Sequence, residues 1–141
     1  MVKMKYFVRK KEKNLKEIVI SGIIILLILL GNGITQKYTN YSTESTSEEL
    51  SILKENMIRG EDKEKLKNTV NTIHEEWDEK YEILAYYIEH NELEKIESGL
   101  TLIRSYIETE ESSEGIGKID ETIYLLRHIE EKNKFNLKNI F

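Results

Sequence analysis

The chain has no cysteine and no proline, one alanine (Ala85), one tryptophan and seven glycines in 141 residues. Without cysteine there is no disulfide framework, thiolate zinc site, iron–sulfur cluster or cysteine nucleophile. Without proline the commonest helix breaker is missing. A basic excess is lacking too. The formal net charge is −5 and the pI about 5.4, which argues against nucleic-acid binding through bulk positive charge. The length suits one small domain.

These averages conceal three unlike segments. Residues 1–17 carry seven basic and two acidic side chains, a net of +5. Residues 18–36 carry no charge. Residues 37–141 carry 14 basic and 24 acidic side chains, a net of −10. The uncharged run, Ile18 to Leu30 and on to Ile34, is hydrophobic all round a helix, so it cannot lie in the plane of a membrane, which requires a polar face. The basic flank disfavours a buried helix of a soluble core. Two membrane readings stand. In the leading one, residues 18–36 form a transmembrane anchor, whose apolar part spans roughly 25 Å, with Lys16 and Lys37 snorkelling and Tyr38 and Tyr41 in the outer interface. In the other, the run is a secretory signal cleaved near Gly31–Gly33. Both place the following chain outside the cytoplasm, because Lys and Arg concentrate before the run. The expected organisation is a basic cytoplasmic tail (1–17), an anchor (18–36), a polar tether (37–46) and an extracytoplasmic helical domain (47–141) in the cell membrane.

The outer segment reads as helical. Thr46 with Glu49 makes a capping-box signature, and Leu50, Leu53 and Met57 mark the first face. Gly60 suits a helix stop and Glu61–Asp62 a new start. Leu66, Val70, Ile73, Trp77, Tyr81, Leu84 and Ile88 recur at steps of three and four, predicting a helix over 62–89, either unbroken or interrupted near Trp77–Glu79. Asn91 with Glu94 makes a further cap, ahead of Leu93, Ile96, Leu100, Ile103 and Ile107. Residues 108–117 read as a loop. A last helix carries Ile116, Ile119, Ile123, Leu126 and Ile129, and the tail Phe135–Phe141 is expected to pack back on the bundle. The fold class is all-α: a single N-terminal transmembrane helix followed by a small antiparallel bundle of helical hairpins. The three–four spacing also allows pairing between copies of the chain.

Little catalytic chemistry is legible. His74, His90 and His128 fall on different predicted helices, none with a second histidine at i+3 or i+4, and zinc needs three or four converging ligands. They read as structural, with His90 and His128 near helix C-termini, where an imidazolium suits the dipole. No metal or other cofactor is expected. No Asp or Glu interrupts an apolar stripe, as a carboxyl made acidic-site-like by burial would. Gly115–Lys118 lacks the upstream glycine, the following hydroxyl and the preceding strand of a phosphate loop. Trp77 and Tyr81 sit on the apolar stripe, and Tyr86 and Tyr87 widen it. The leading reading of these aromatics is core; the alternative is a partner surface made of Trp77, Tyr81, Tyr86, Tyr87 and His90.

Trp77, the stretch Tyr87–Ile96 (YIEHNELEKI), the stretch Leu125–Lys132 (LLRHIEEK) and the ending Asn136–Phe141 (NLKNIF) carry a family resemblance. Together with the basic start and the membrane run, they make the chain resemble the bacterial domain of unknown function 4363 family of small single-pass proteins. The resemblance covers nearly the whole chain. It implies a membrane-anchored, all-helical domain with no assigned activity, and a multi-spanning membrane protein as companion. The expected function is a non-catalytic interaction domain, partnered by the lipid bilayer and another membrane protein and not by nucleic acid. The alternative is an outer ligand- or cation-sensing domain.

Overall fold

The computed structural model describes the backbone of residues 2–138 and the side chains of residues 15–134. It contains four helices: α1 (Val2–Ile58), α2 (Lys63–Leu84), α3 (His90–Glu108) and α4 (Ser112–Lys138). There is no strand among the described residues. The chain divides into two units, Met1–Thr35 and Gln36–Phe141.

In the first unit, α1 from Leu15 onward is long and apolar enough to cross a membrane. Its most apolar stretch has a mean hydropathy of 2.5, with none of it buried. Thirteen successive positions from Ile18 to Leu30 leave their side chains in the open, unlike a soluble core helix, which buries at least one stripe.

The second unit is an up-and-down bundle, and its cross-helix contacts fix the directions. Lys63, His74 and Tyr81 of α2 meet Glu110, Glu97 and His90 in turn, so α2 and α3 run antiparallel. Along α4, Gly115, Asp120 and Asn133 meet Met57, Lys54 and Thr39 of α1, which gives the same relation. Leu50, Leu53, Val70, Trp77, Leu84, Leu93, Ile96, Leu100, Ile103, Ile119 and Leu126 are completely buried between the four helices.

The expected tether at 37–46 is corrected: these residues are helical, and Thr39, Ser42, Thr43 and Thr46 are buried. The physical reason is a stripe of small hydroxyl residues. Thr39, Thr43, Thr46, Leu50, Leu53 and Met57 step by four and three along one helix face, so the polar half continues the apolar half. The three threonine hydroxyls have partners, Thr43 within the turn and Thr39 and Thr46 on other helices, whereas Ser42 Oγ is buried without one among the described residues. Thr43 Oγ1 donates to the carbonyl of Thr39 at 3.0 Å, and Ser51 Oγ to that of Ser47 at 2.8 Å. Thr46 is therefore mid-helix and caps nothing. Tyr38, expected in a lipid interface, packs against the core, while Tyr41 stays exposed.

Other boundaries also move. α2 runs unbroken through Trp77 and stops at Leu84. α3 starts at His90 after Glu89, which makes no side-chain cap, so Asn91 is not the cap. The loop expected at 108–117 shrinks to 109–111. The packing expected of Phe135–Phe141 lies outside the described side chains. Asp62 does cap α2, accepting from the backbone N–H groups of Glu64 at 3.0 Å and Lys65 at 3.3 Å.

α1 and α3 end in the same way. Gly60 N–H bonds to Met57 O and Glu61 N–H to Asn56 O, with Gly60 at φ +72°. At the second site Glu110 N–H bonds to Ile107 O and Glu111 N–H to Tyr106 O, with Glu110 at φ +61°. Both are Schellman stops, but only the first has the residue that tolerates this φ without strain. Gly60→Ala is expected to lower stability by about 1 kcal/mol, and Glu110→Gly to raise it by about 0.5–1 kcal/mol. Urea unfolding of the two variants checks the opposite signs.

α3 and α4 approach each other closely at Gly99. A Cβ there would lie 2.4 Å from Thr122 Oγ1, 3.3 Å from its Cγ2 and 3.4 Å from its Cβ. Rotating Thr122 away would break the hydrogen bond of its hydroxyl to Lys118 O at 2.8 Å. Gly99→Ala is therefore expected to destabilise by about 1–2 kcal/mol despite the better helix propensity of alanine. Adding Thr122→Ala relieves the clash, so a double-mutant cycle returns a favourable coupling. Strict additivity would mean that the two helices are not in contact there.

Candidate functional site

The short turn between α2 and α3 gathers four of the five candidate residues. Tyr81 is half-buried, and its Oη is hydrogen-bonded to His90 Nδ1 at 3.3 Å. The two rings stack with centroids 6.1 Å apart and planes 20° from parallel. Tyr87 is half-buried; Thr39 Oγ1 donates to its Oη at 3.4 Å, and Asn133 Nδ2 donates to Thr39 Oγ1 at 3.1 Å. Burial pushes the Tyr87 phenol above its usual value, opposed by the hydrogen bond to Thr39. Tyr86 between them is 89% exposed. Trp77 does not join them. It is fully buried in the core, so its place in a partner surface is corrected: two turns before the end of α2, its stripe position points inward.

Beside this corner lies a small recess lined by Tyr87, Ile88, Glu89, Glu92, Ile129, Lys132 and Asn133. Lys132 Nζ pairs with Glu89 at 3.1 Å and Glu92 at 3.6 Å. The hydrogen bond to Glu89 holds its ammonium above the ordinary lysine range. His90 begins a helix rather than ending one, and α4 continues for ten residues past His128. The helix-dipole reading of both histidines is thereby corrected, because it assumed helix ends that are elsewhere.

Two further polar groupings were not anticipated. The first is a buried seam between α1 and α2. Lys80 is buried on the apolar side of α2, and its Nζ donates to Thr46 Oγ1 at 3.1 Å. Glu49 Oε1 lies 4.0 Å and Glu76 Oε2 3.9 Å from the same nitrogen. Burial holds the Glu49 carboxyl above the usual carboxylate range; the Lys80 ammonium opposes this, and Glu76 and Glu48 add to it. The second is a cluster of His74, Asp78 and Glu97, whose ligand atoms all lie within 4.8 Å of one another. His74 Nε2 contacts Glu97 Oε1 at 2.5 Å. A search for paired histidines misses it, because the partners are carboxylates and one comes from the next helix. The i,i+4 spacing of His74 and Asp78 was the available signal.

The arrangement is a small all-α bundle preceded by an apolar helical segment. The family model described as Domain of unknown function (DUF4363) matches residues 33–140, and the chain belongs to that family. No curated protein and no solved structure matches it.

Proposed function

We propose that this chain is a membrane-anchored, non-catalytic helical domain that binds another membrane protein through the corner around Tyr86. The observation that carries the reading is a large aromatic side chain left open on a corner that is itself fastened. Tyr81–His90 on one side and Tyr87–Thr39–Asn133 on the other hold the turn through side-chain hydrogen bonds. Exposed aromatics on rigid supports make good binding anchors, because little side-chain freedom is lost on docking. Ile83, one turn earlier, is also exposed and widens the apolar part of the patch.

The anchor is the uncharged stretch of α1, with the basic tail inside and the acidic domain outside by the positive-inside rule. Held next to a bilayer, such a domain meets partners that share the membrane, which favours a multi-spanning companion over a soluble one.

A photo-crosslinking residue at position 86, in native membranes, tests this. The expected product joins the chain to an integral membrane protein, with no such product from position 64 on the exposed face of α2. Absence of any product from position 86, with the chain monomeric, defeats the proposal. A product containing only a second copy of the chain replaces it with self-association.

A further inference from the structure

We infer that His74, Asp78 and Glu97 form a binding site for a divalent transition-metal ion of the zinc class, joining α2 to α3. This goes beyond the partner reading and does not depend on it. His74 and Asp78 are four residues apart on α2 and so share one helix face. Glu97 comes to that face from α3 through the antiparallel pairing already described. Ions of this class hold nitrogen and oxygen ligands at about 2.0–2.2 Å, which sets the ligand atoms about 3–4 Å from one another. The three side chains already place theirs within 4.8 Å, so small rotamer changes close the set.

Charge points the same way. The His74–Glu97 contact alone is an ordinary ion pair or hydrogen bond, and needs no metal. Asp78 is the residue it leaves over. Two carboxylates converge on one imidazole, and among the described residues no hydrogen bond or salt bridge neutralises Asp78. The excess negative charge suits a cation. The imidazole nitrogen selects transition ions over magnesium and calcium, which prefer all-oxygen shells. Asp78 is exposed and His74 and Glu97 half-buried, so an ion enters from solvent and keeps water in its remaining positions. Bridging two helices, it would stabilise the hairpin by binding the folded state alone.

The test is zinc titration of the full chain in detergent micelles, by calorimetry and by thermal unfolding with and without zinc. One equivalent is expected to bind and to raise the midpoint. Asp78→Asn is the decisive variant, since Asp78 holds no partner in the fold and its loss leaves the bundle intact. Asp78→Asn and Glu97→Gln should each weaken binding about tenfold or more, and His128→Ala should leave it unchanged. Magnesium in place of zinc should give no comparable shift. Absence of heat and of any midpoint shift means an ion pair only, and overturns the inference. Binding that survives either carboxylate variant at full strength overturns it as well.

Discussion

Replacing Trp77 by alanine is expected to remove about 4 kcal/mol of stability, the usual range for emptying a large aromatic site in a core. Native proteins have about 5–15 kcal/mol in total, so this is a large fraction of the stability and the unfolding midpoint should fall well below that of the wild type. Trp77 is 0% exposed and lies among buried residues of all four helices. Its indole Nε1 is buried without an acceptor among the described residues, so what it contributes is volume rather than a hydrogen bond. Trp77→Phe, which keeps most of that volume, should lose only about 1–2 kcal/mol. Because the chain has one tryptophan, its own fluorescence reports the wild-type environment, with blue-shifted emission that moves red on unfolding. Circular dichroism in urea measures the variants. A Trp77→Ala chain that unfolds like the wild type would return this residue to the surface reading and sink the core assignment.

The same residue shows how far the sequence can be read. The stripe from Leu66 to Leu84 was legible because large apolar side chains repeated at the helix period, and the period alone puts Trp77 inward. The Tyr86 corner was legible in composition but not in shape: nothing in the order of the residues told which of two adjacent tyrosines would face out. The helix end decides that, and it came at Leu84 rather than at residue 89. Residues 38–47 failed for the opposite reason. Thr39, Thr43 and Thr46 keep the helix period, but hydropathy does not score a threonine as a core residue. A hydroxyl bonded to the preceding turn can be buried cheaply, and a small side chain lets helices approach. The His74 cluster was only half legible: His74 and Asp78 share a helix face by spacing, but Glu97 joins them only through the hairpin. Lys80 was unreadable for a related reason: its stem packs like a hydrophobe while its ammonium reaches polar atoms on another helix.

Lys80 carries the second large expectation. Lys80→Met keeps the packed stem and removes the charge, and should cost about 2 kcal/mol near neutral pH, where a buried charge-assisted hydrogen bond to Thr46 is lost and Glu49 is left without its cation. The loss should depend on pH. Glu49 is held above the ordinary carboxylate range mainly by burial, with Lys80 pulling the other way. A carboxyl whose folded value is raised binds its proton more tightly in the folded state. The stability it contributes is present below the unfolded value and is lost as pH rises through the folded one. Removing Lys80 takes away the opposing pull, so that loss grows and the variant departs most from the wild type above the elevated value. Glu49→Gln has no proton to lose there. It should flatten the decline in the wild type and recover part of the loss in Lys80→Met. Urea midpoints between pH 4 and 7, with a chelator present so that bound metal contributes nothing, measure all four chains. Should Lys80→Met cost the same at every pH, with or without Glu49→Gln, then the ammonium does not act on Glu49, and the seam is held by the Thr46 hydrogen bond and packing alone.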